Sequence, residues 1–166
     1  SDYEKAIRAY DHAIKLNQSS GTPYAAKGLC LAFLGKVSQG KKTIDKAIKI
    51  DPKNFEVYRL QGLIYYDIGE YNKALNSVNK SLKLNSKSWE SYANKSRYLD
   101  LLDRINESLK VIEKAIKIKK KNDGRLLYRK GNALLKLRRT SEAIKILKKS
   151  LIYAKDNNIV LENIAR

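Results

Sequence analysis

The sequence predicts an all-α chain of antiparallel helix hairpins, each stacked on the next, and three observations predict it. Apolar residues recur at helical spacing in every segment, as in Ile44, Ala47 and Ile48, and no stretch sustains an alternation of period two. Residues that break helices interrupt this pattern at intervals of about a dozen positions. One phrase also keeps returning: HAIKLNQSS at 12–20, KAIKIDPKN at 46–54, KSLKLNSKS at 80–88, KAIKIKKKN at 114–122 and KSLIYAKDN at 149–157.

The breakers place the elements in order. A first helix over residues 2–17 ends in the run Asn17 to Gly21. The next helix reaches Gly35 to Ser38, and its partner reaches Asp51 to Asn54. A second hairpin turns at Gly69 and closes at Asn85 to Ser88; a third turns at Asp103 and closes at Asn122 to Gly124. A last hairpin fills the residues beyond. Helices this short are marginal alone in water, so each apolar face must be covered by a neighbouring hairpin.

Small residues mark where helices approach. Gly28, Gly62, Ser96 and Gly131 recur at one place in the first helix of each pair, and Gly40, Ala74, Ser108 and Ala143 recur in the second. Their lack of bulk lets two axes come close. A third series, Ala13, Ala47, Ser81, Ala115 and Ser150, is expected to seat each second helix against the following unit. The spacing is about 34 residues, with one extra residue near Asp123.

With this period the chain resembles tetratricopeptide repeat proteins over essentially its whole length. In the second repeat the matching residues are Tyr58, Gly62, Tyr65, Gly69, Tyr71, Ala74, Val78, Ser81 and Leu82; in the first they are Tyr24, Gly28, Leu31, Gly35, Ala47 and Pro52, with Gly40 where alanine is usual. One departure recurs, because Lys27, Gln61, Lys95 and Lys130 occupy a place that is usually leucine. Their stems are expected to pack while their heads reach water. The resemblance implies a right-handed superhelical solenoid of antiparallel helix pairs, read as a single repeat domain over 1–166. Full repeats span 21–54, 55–88, 89–123 and 124–157. Residues 1–20 carry the second helix of a truncated repeat, and 158–166 open a further one, with Leu161, Ile164 and Ala165 where the pattern expects them. The absence of methionine, Ser1 included, fits a piece of a longer protein.

In this family the first helices line a concave groove that holds an extended peptide or a partner's tail. Carried over place by place, the resemblance implies a groove including Leu29, Phe33, Arg59, Leu63, Tyr66, Asn94, Arg97, Arg125, Arg129 and Asn132. It grades from apolar to polar and basic, which suits a ligand with an apolar part and an anionic end. Some family members hold an acidic C-terminal tail in a two-carboxylate clamp. Arg59 stands at a clamp lysine, Asn94 at the clamp asparagine, Arg125 at the second lysine and Arg129 at the clamp arginine, while Leu63 replaces the remaining asparagine. Arginine donates two charge-assisted hydrogen bonds to one carboxylate, so the chemistry holds. The simpler alternative, which the sequence favours, is a set of solvated groove charges partly paired with Glu56, Glu90 and Asp100.

The formal net charge of +18 raises the question of a polyanion partner. Most lysines, among them Lys42, Lys46, Lys80, Lys114 and Lys148, fall on second helices or the turns after them. A lysine-rich outer face most simply supplies solubility. The run KIKKKN at 117–122 is the best candidate for a phosphate contact, yet no stacking aromatic is evident beside it. Tyr58, Tyr65, Tyr71 and Tyr92 occupy packing places. A nucleic-acid or polyanion binder is therefore the second reading, and a structural spacer that associates through its cut ends is the third.

The sequence offers catalysis little. His12 is the single histidine and Cys30 the single cysteine, neither with a second metal ligand at useful spacing. Cys30 reads as a packed residue and Trp89 as a packing or boundary residue. No glycine loop cradles phosphate, since Gly28, Gly62 and Gly131 serve packing. No run approaches a membrane span of about 18 residues, and no charged start followed by an apolar block suggests a signal peptide. The expectation is a basic cytoplasmic scaffold, not an enzyme. It needs no cofactor, contacts no membrane, and takes a protein or peptide partner with an acidic C-terminus as one form.

Overall fold

The computed structural model describes residues 1–154. These contain nine α-helices and no strand: α1 (Asp2–Leu16), α2 (Gly21–Phe33), α3 (Val37–Ile50), α4 (Phe55–Asp67), α5 (Tyr71–Leu84), α6 (Trp89–Leu101), α7 (Ile105–Lys119), α8 (Gly124–Lys136) and α9 (Thr140–Ala154). The predicted all-α class is what forms. Two compact units divide the chain, Ser1–Ser86 and the remainder from Lys87. In the first, α1 packs on α2, and the hairpins α2–α3 and α4–α5 pack on each other. In the second, α6 pairs with α7 and α8 with α9, and α7 packs against α8. The stretch 158–166, read as the opening of a further repeat, lies outside the described residues.

Local chemistry explains where the helices start and stop. Three first helices begin at a residue whose side chain accepts backbone N–H groups: Asn54 from Glu56, Ser88 from Ser91, and Asp123 from both Arg125 and Leu126. Short polar side chains are the favoured N-caps for this reason. Each hairpin then turns on one left-handed residue, Gly35 (φ 77°), Gly69 (φ 77°), Asp103 (φ 58°) and Arg138 (φ 57°). The amide after it reaches back five residues in every case: Lys36 to Leu31, Glu70 to Tyr65, Arg104 to Leu99 and Arg139 to Leu134, at 2.8–2.9 Å. This is a Schellman closure, and it forces positive φ whatever residue is present.

Glycine adopts that conformation freely, whereas Arg138 and Asp103 do so at a cost of about 1–2 kcal/mol. Arg138→Gly is therefore expected to stabilise the chain by about 1 kcal/mol and raise its thermal midpoint by about 2–4 °C. A thermal melt followed by circular dichroism checks it.

The residue inserted near Asp123 is absorbed at the end of α7. That helix runs 15 residues where α3 and α5 run 14, and Lys120 then takes the left-handed conformation (φ 57°).

Packing bears out the small-residue series. A Cβ added at Gly40 would stand 2.6 Å from the carbonyl oxygen of Gly28, and one at Gly28 would stand 2.9 Å from that of Gly40. In this hairpin the axes approach more closely than the usual alanine permits. The corresponding serines of the third hairpin hydrogen-bond instead. Ser108 Oγ donates to the Ser96 carbonyl at 2.9 Å, which leaves Ser96 Oγ to donate to Ser108 Oγ at 2.9 Å. Ala47, Ser81, Ala115 and Ser150 are fully buried, whereas Ala13 is half-buried. In the first unit Tyr24, Ala25, Ala32, Ile44, Ala47, Val57, Leu60 and Ile64 form one core, against which Leu29 and Leu63 lean half-buried. Each large aliphatic side chain so buried contributes about 1.5–3 kcal/mol.

The recurring lysine place is corrected in detail. The ammonium groups of Lys27 and Lys130 do not simply reach water: Lys27 meets Asp11 of α1 at 2.5 Å, and Lys130 meets Glu113 of α7 at 2.8 Å. Gln61, at the same place, accepts a hydrogen bond from Ser77 at 2.9 Å. The two half-exposed ion pairs tie a first helix to the second helix before it, each worth at most about 1 kcal/mol.

Candidate functional site

The helical repeat sets residues three and four apart on one face of each first helix. In the first unit, Leu29 and Leu63 are half-buried against the core and offer only part of their surface. Phe33 is 40% exposed, but one side of its ring is occupied by Tyr3 of α1, with centroids 5.3 Å apart. Sequence reasoning passed over this contact because Tyr3 lies thirty positions away. Tyr66, half-buried, stacks at 6.1 Å against Tyr71 at the start of the partner helix. Arg59 is held in a two-pronged pair by Glu56 of its own helix, with Nε to Oε2 at 2.7 Å. An incoming carboxylate would have to displace Glu56. Pairing of the groove charges with Glu56, expected as the simpler alternative, is realised here.

In the second unit, α6 presents Asn94, Arg97 and Asp100, and α8 presents Arg125, Arg129, Asn132 and Lys136. Lys136 Nζ lies 3.0 Å from Asp100 Oδ1, so the two helices are linked at this face. Arg125 is half-exposed and stands 3.7 Å from Asp123. Arg97, Arg129 and Asn132 are half-buried. The amide nitrogen of Asn94 is buried and finds no hydrogen-bond partner. A buried donor left unsatisfied costs about 1–3 kcal/mol.

The KIKKKN run differs from expectation. An aromatic does lie there: Lys119 Nζ sits 3.7 Å from the centre of the Trp89 ring and is ion-paired with Asp123. Burial alone would push the Asp123 carboxyl up. The Lys119 hydrogen bond, the Leu126 amide and the charges of Lys119 and Arg125 outweigh it and hold the group below the usual carboxylate range. Elsewhere on the second helices a lysine lies over a tyrosine at one recurring place: Lys46 over Tyr24 at 4.8 Å, Lys80 over Tyr58 at 5.8 Å and Lys114 over Tyr92 at 4.7 Å. The tyrosines are packing residues that also seat lysines.

Cys30 is buried, and burial pushes its thiol up, away from the reactive thiolate. His12 is exposed. Among the described residues, no group of three His, Cys, Asp or Glu side chains is placed to hold a metal ion, and no helix is long and apolar enough to cross a membrane.

The sequence profile of the tetratricopeptide repeat matches residues 22–54, 90–122 and 124–157, and a second profile of the same repeat matches residues 43–76. No curated protein matches the chain in sequence. Several solved structures share its fold. A thermophilic tetratricopeptide repeat protein of Thermus thermophilus, TTC0263, is 15% identical with a TM-score of 0.82, over 98% of this chain and 89% of that one. MamA from Desulfovibrio magneticus RS-1 is 16% identical with a TM-score of 0.74, over 95% and 88%. YrrB, described as having an unusual peptide-binding site, is 18% identical with a TM-score of 0.71, over 99% and 84%. Matched over most of its length by the repeat profiles, with its helices arranged as in these helical-repeat solenoids, the chain belongs to the tetratricopeptide repeat family.

Proposed function

We propose that this protein-interaction module binds peptide segments on first-helix faces within each unit, and that in the second unit the basic face of α6 and α8 receives an acidic end, a C-terminal carboxylate included. The observation that carries this reading is the buried, unpartnered amide of Asn94 on α6, the helix that also carries Arg97, with Arg125, Arg129 and Asn132 on α8. An anionic ligand supplies the acceptor the amide lacks. In the first unit, Leu29, Phe33, Leu63 and Tyr66 form an apolar face of its own, and Arg59 joins it only by leaving Glu56. YrrB, a protein of the same fold, is described as having a peptide-binding site.

The test is fluorescence anisotropy of a labelled acidic peptide with a free C-terminus, run beside its amidated twin at two salt concentrations. Binding should weaken about tenfold on amidation, and Asn94→Ala should weaken it by about five- to a hundredfold. Arg129→Gln should do likewise. Equal binding of both peptides that vanishes with salt would refute the reading and favour a nucleic-acid or polyanion surface. If neither peptide binds and light scattering shows concentration-dependent growth, the spacer reading gains instead.

A further inference from the structure

Away from the peptide-binding faces, a concavity of about 410 Å³ opens in the first unit between α1, α2 and α3, lined by Asp11, Ile14, Tyr24, Lys27, Lys42, Thr43 and Lys46. We propose that it is a binding site for a compact, multiply charged anion of phosphate chemistry, with Lys27, Lys42 and Lys46 as its donors. Three ammonium groups face one carboxylate across the cavity. Asp11 engages Lys27 at 2.5 Å and leaves two of that lysine's three N–H donors for a ligand. Lys46 is steered over the Tyr24 ring at 4.8 Å, and Tyr24 is buried, so part of the cavity floor is desolvated.

Thr43 contributes no donor, because its hydroxyl proton is given to the Gln39 carbonyl at 2.8 Å. Recognition therefore falls to the ammonium groups, point charges that suit the several acceptor oxygens of a phosphate chain. At the same repeat places the second hairpin carries Asp45, Gln61, Asn76 and Lys80, one lysine where the first has three, and there Gln61 is occupied by Ser77, whereas the third carries Asn79, Lys95, Lys110 and Lys114 and the fourth Glu113, Lys130, Lys145 and Lys149.

Inorganic tripolyphosphate is the probe. In an amide-correlation NMR titration, the signals of residues 42–46 and Lys27 should shift and saturate. In calorimetry, Lys42→Gln with Lys46→Gln should weaken binding about tenfold or more, while the charge-matched control Lys53→Gln with Lys83→Gln, both exposed, should change it less than about twofold. All four side chains are exposed, so folding is expected to survive, and circular dichroism verifies it. Equal losses in the two double variants, shifts spread over every second helix, or no binding would each overturn the proposal.

Discussion

Asp123→Ala is expected to lower stability by about 2–3 kcal/mol, a large loss for one side chain. The carboxylate is 5% exposed, caps α8 by accepting from the Arg125 and Leu126 amides at 2.9 and 3.2 Å, and holds Lys119. Truncation removes the cap, worth about 0.5–2 kcal/mol, and leaves Lys119 without its counter-charge. Urea unfolding measures it, and Trp89 provides the signal because it is the only tryptophan and lies under Lys119. A loss below about 0.5 kcal/mol would show that water caps the helix equally well.

The same group predicts a pH dependence. Its folded pKa is depressed, so the stabilisation is fully present above the unfolded carboxyl value near 4 and disappears as pH falls through the lower folded value. The advantage of the native chain over Asp123→Asn should thus be level above about pH 5 and shrink below about pH 4. An advantage that grew on acidification would contradict the assignment.

Ile44→Ala is expected to cost about 2–5 kcal/mol, because Ile44 is 2% exposed in the core of the first unit, in a hairpin already at its closest approach at Gly28 and Gly40. The helices cannot move nearer to fill the cavity. Ile144→Ala on α9, where the side chain is 47% exposed, should change stability by no more than about 0.5 kcal/mol. Denaturant midpoints of the two variants give the comparison directly.

Particular residues show what could be read in advance. Gly35 and Gly69 announced their turns, because a left-handed residue at a helix end is most often glycine. Arg138 announced nothing. It is left-handed because the Schellman bond from Arg139 to Leu134 leaves no other conformation, and that constraint belongs to the hairpin. The extra residue near Asp123 was visible in the spacing, but its absorption through Lys120 was not. On the candidate site, Arg59 and Asn94 were both identified by place. That Arg59 is held by Glu56 while the Asn94 amide lacks a partner depends on side-chain rotamers chosen in the packed state. The Trp89–Lys119 contact was missed because its partners lie thirty residues apart and meet only when α6 and α7 close as a hairpin.

The sequence by itself determined the helical class, the repeat, the small residues that set the close approaches and the excess of positive charge. Each follows from requirements felt locally along the chain: backbone hydrogen bonding, apolar periodicity and the volume allowed at a fixed place in every hairpin. The tertiary structure alone decided which groups meet: Lys27 with Asp11, Arg59 with Glu56, Lys119 with Asp123 and Lys136 with Asp100, while the Asn94 amide finds no partner. A Coulomb or hydrogen-bond partner is selected by distance in space, and short helices folded back on one another bring together side chains whose separation in sequence carries no sign of it.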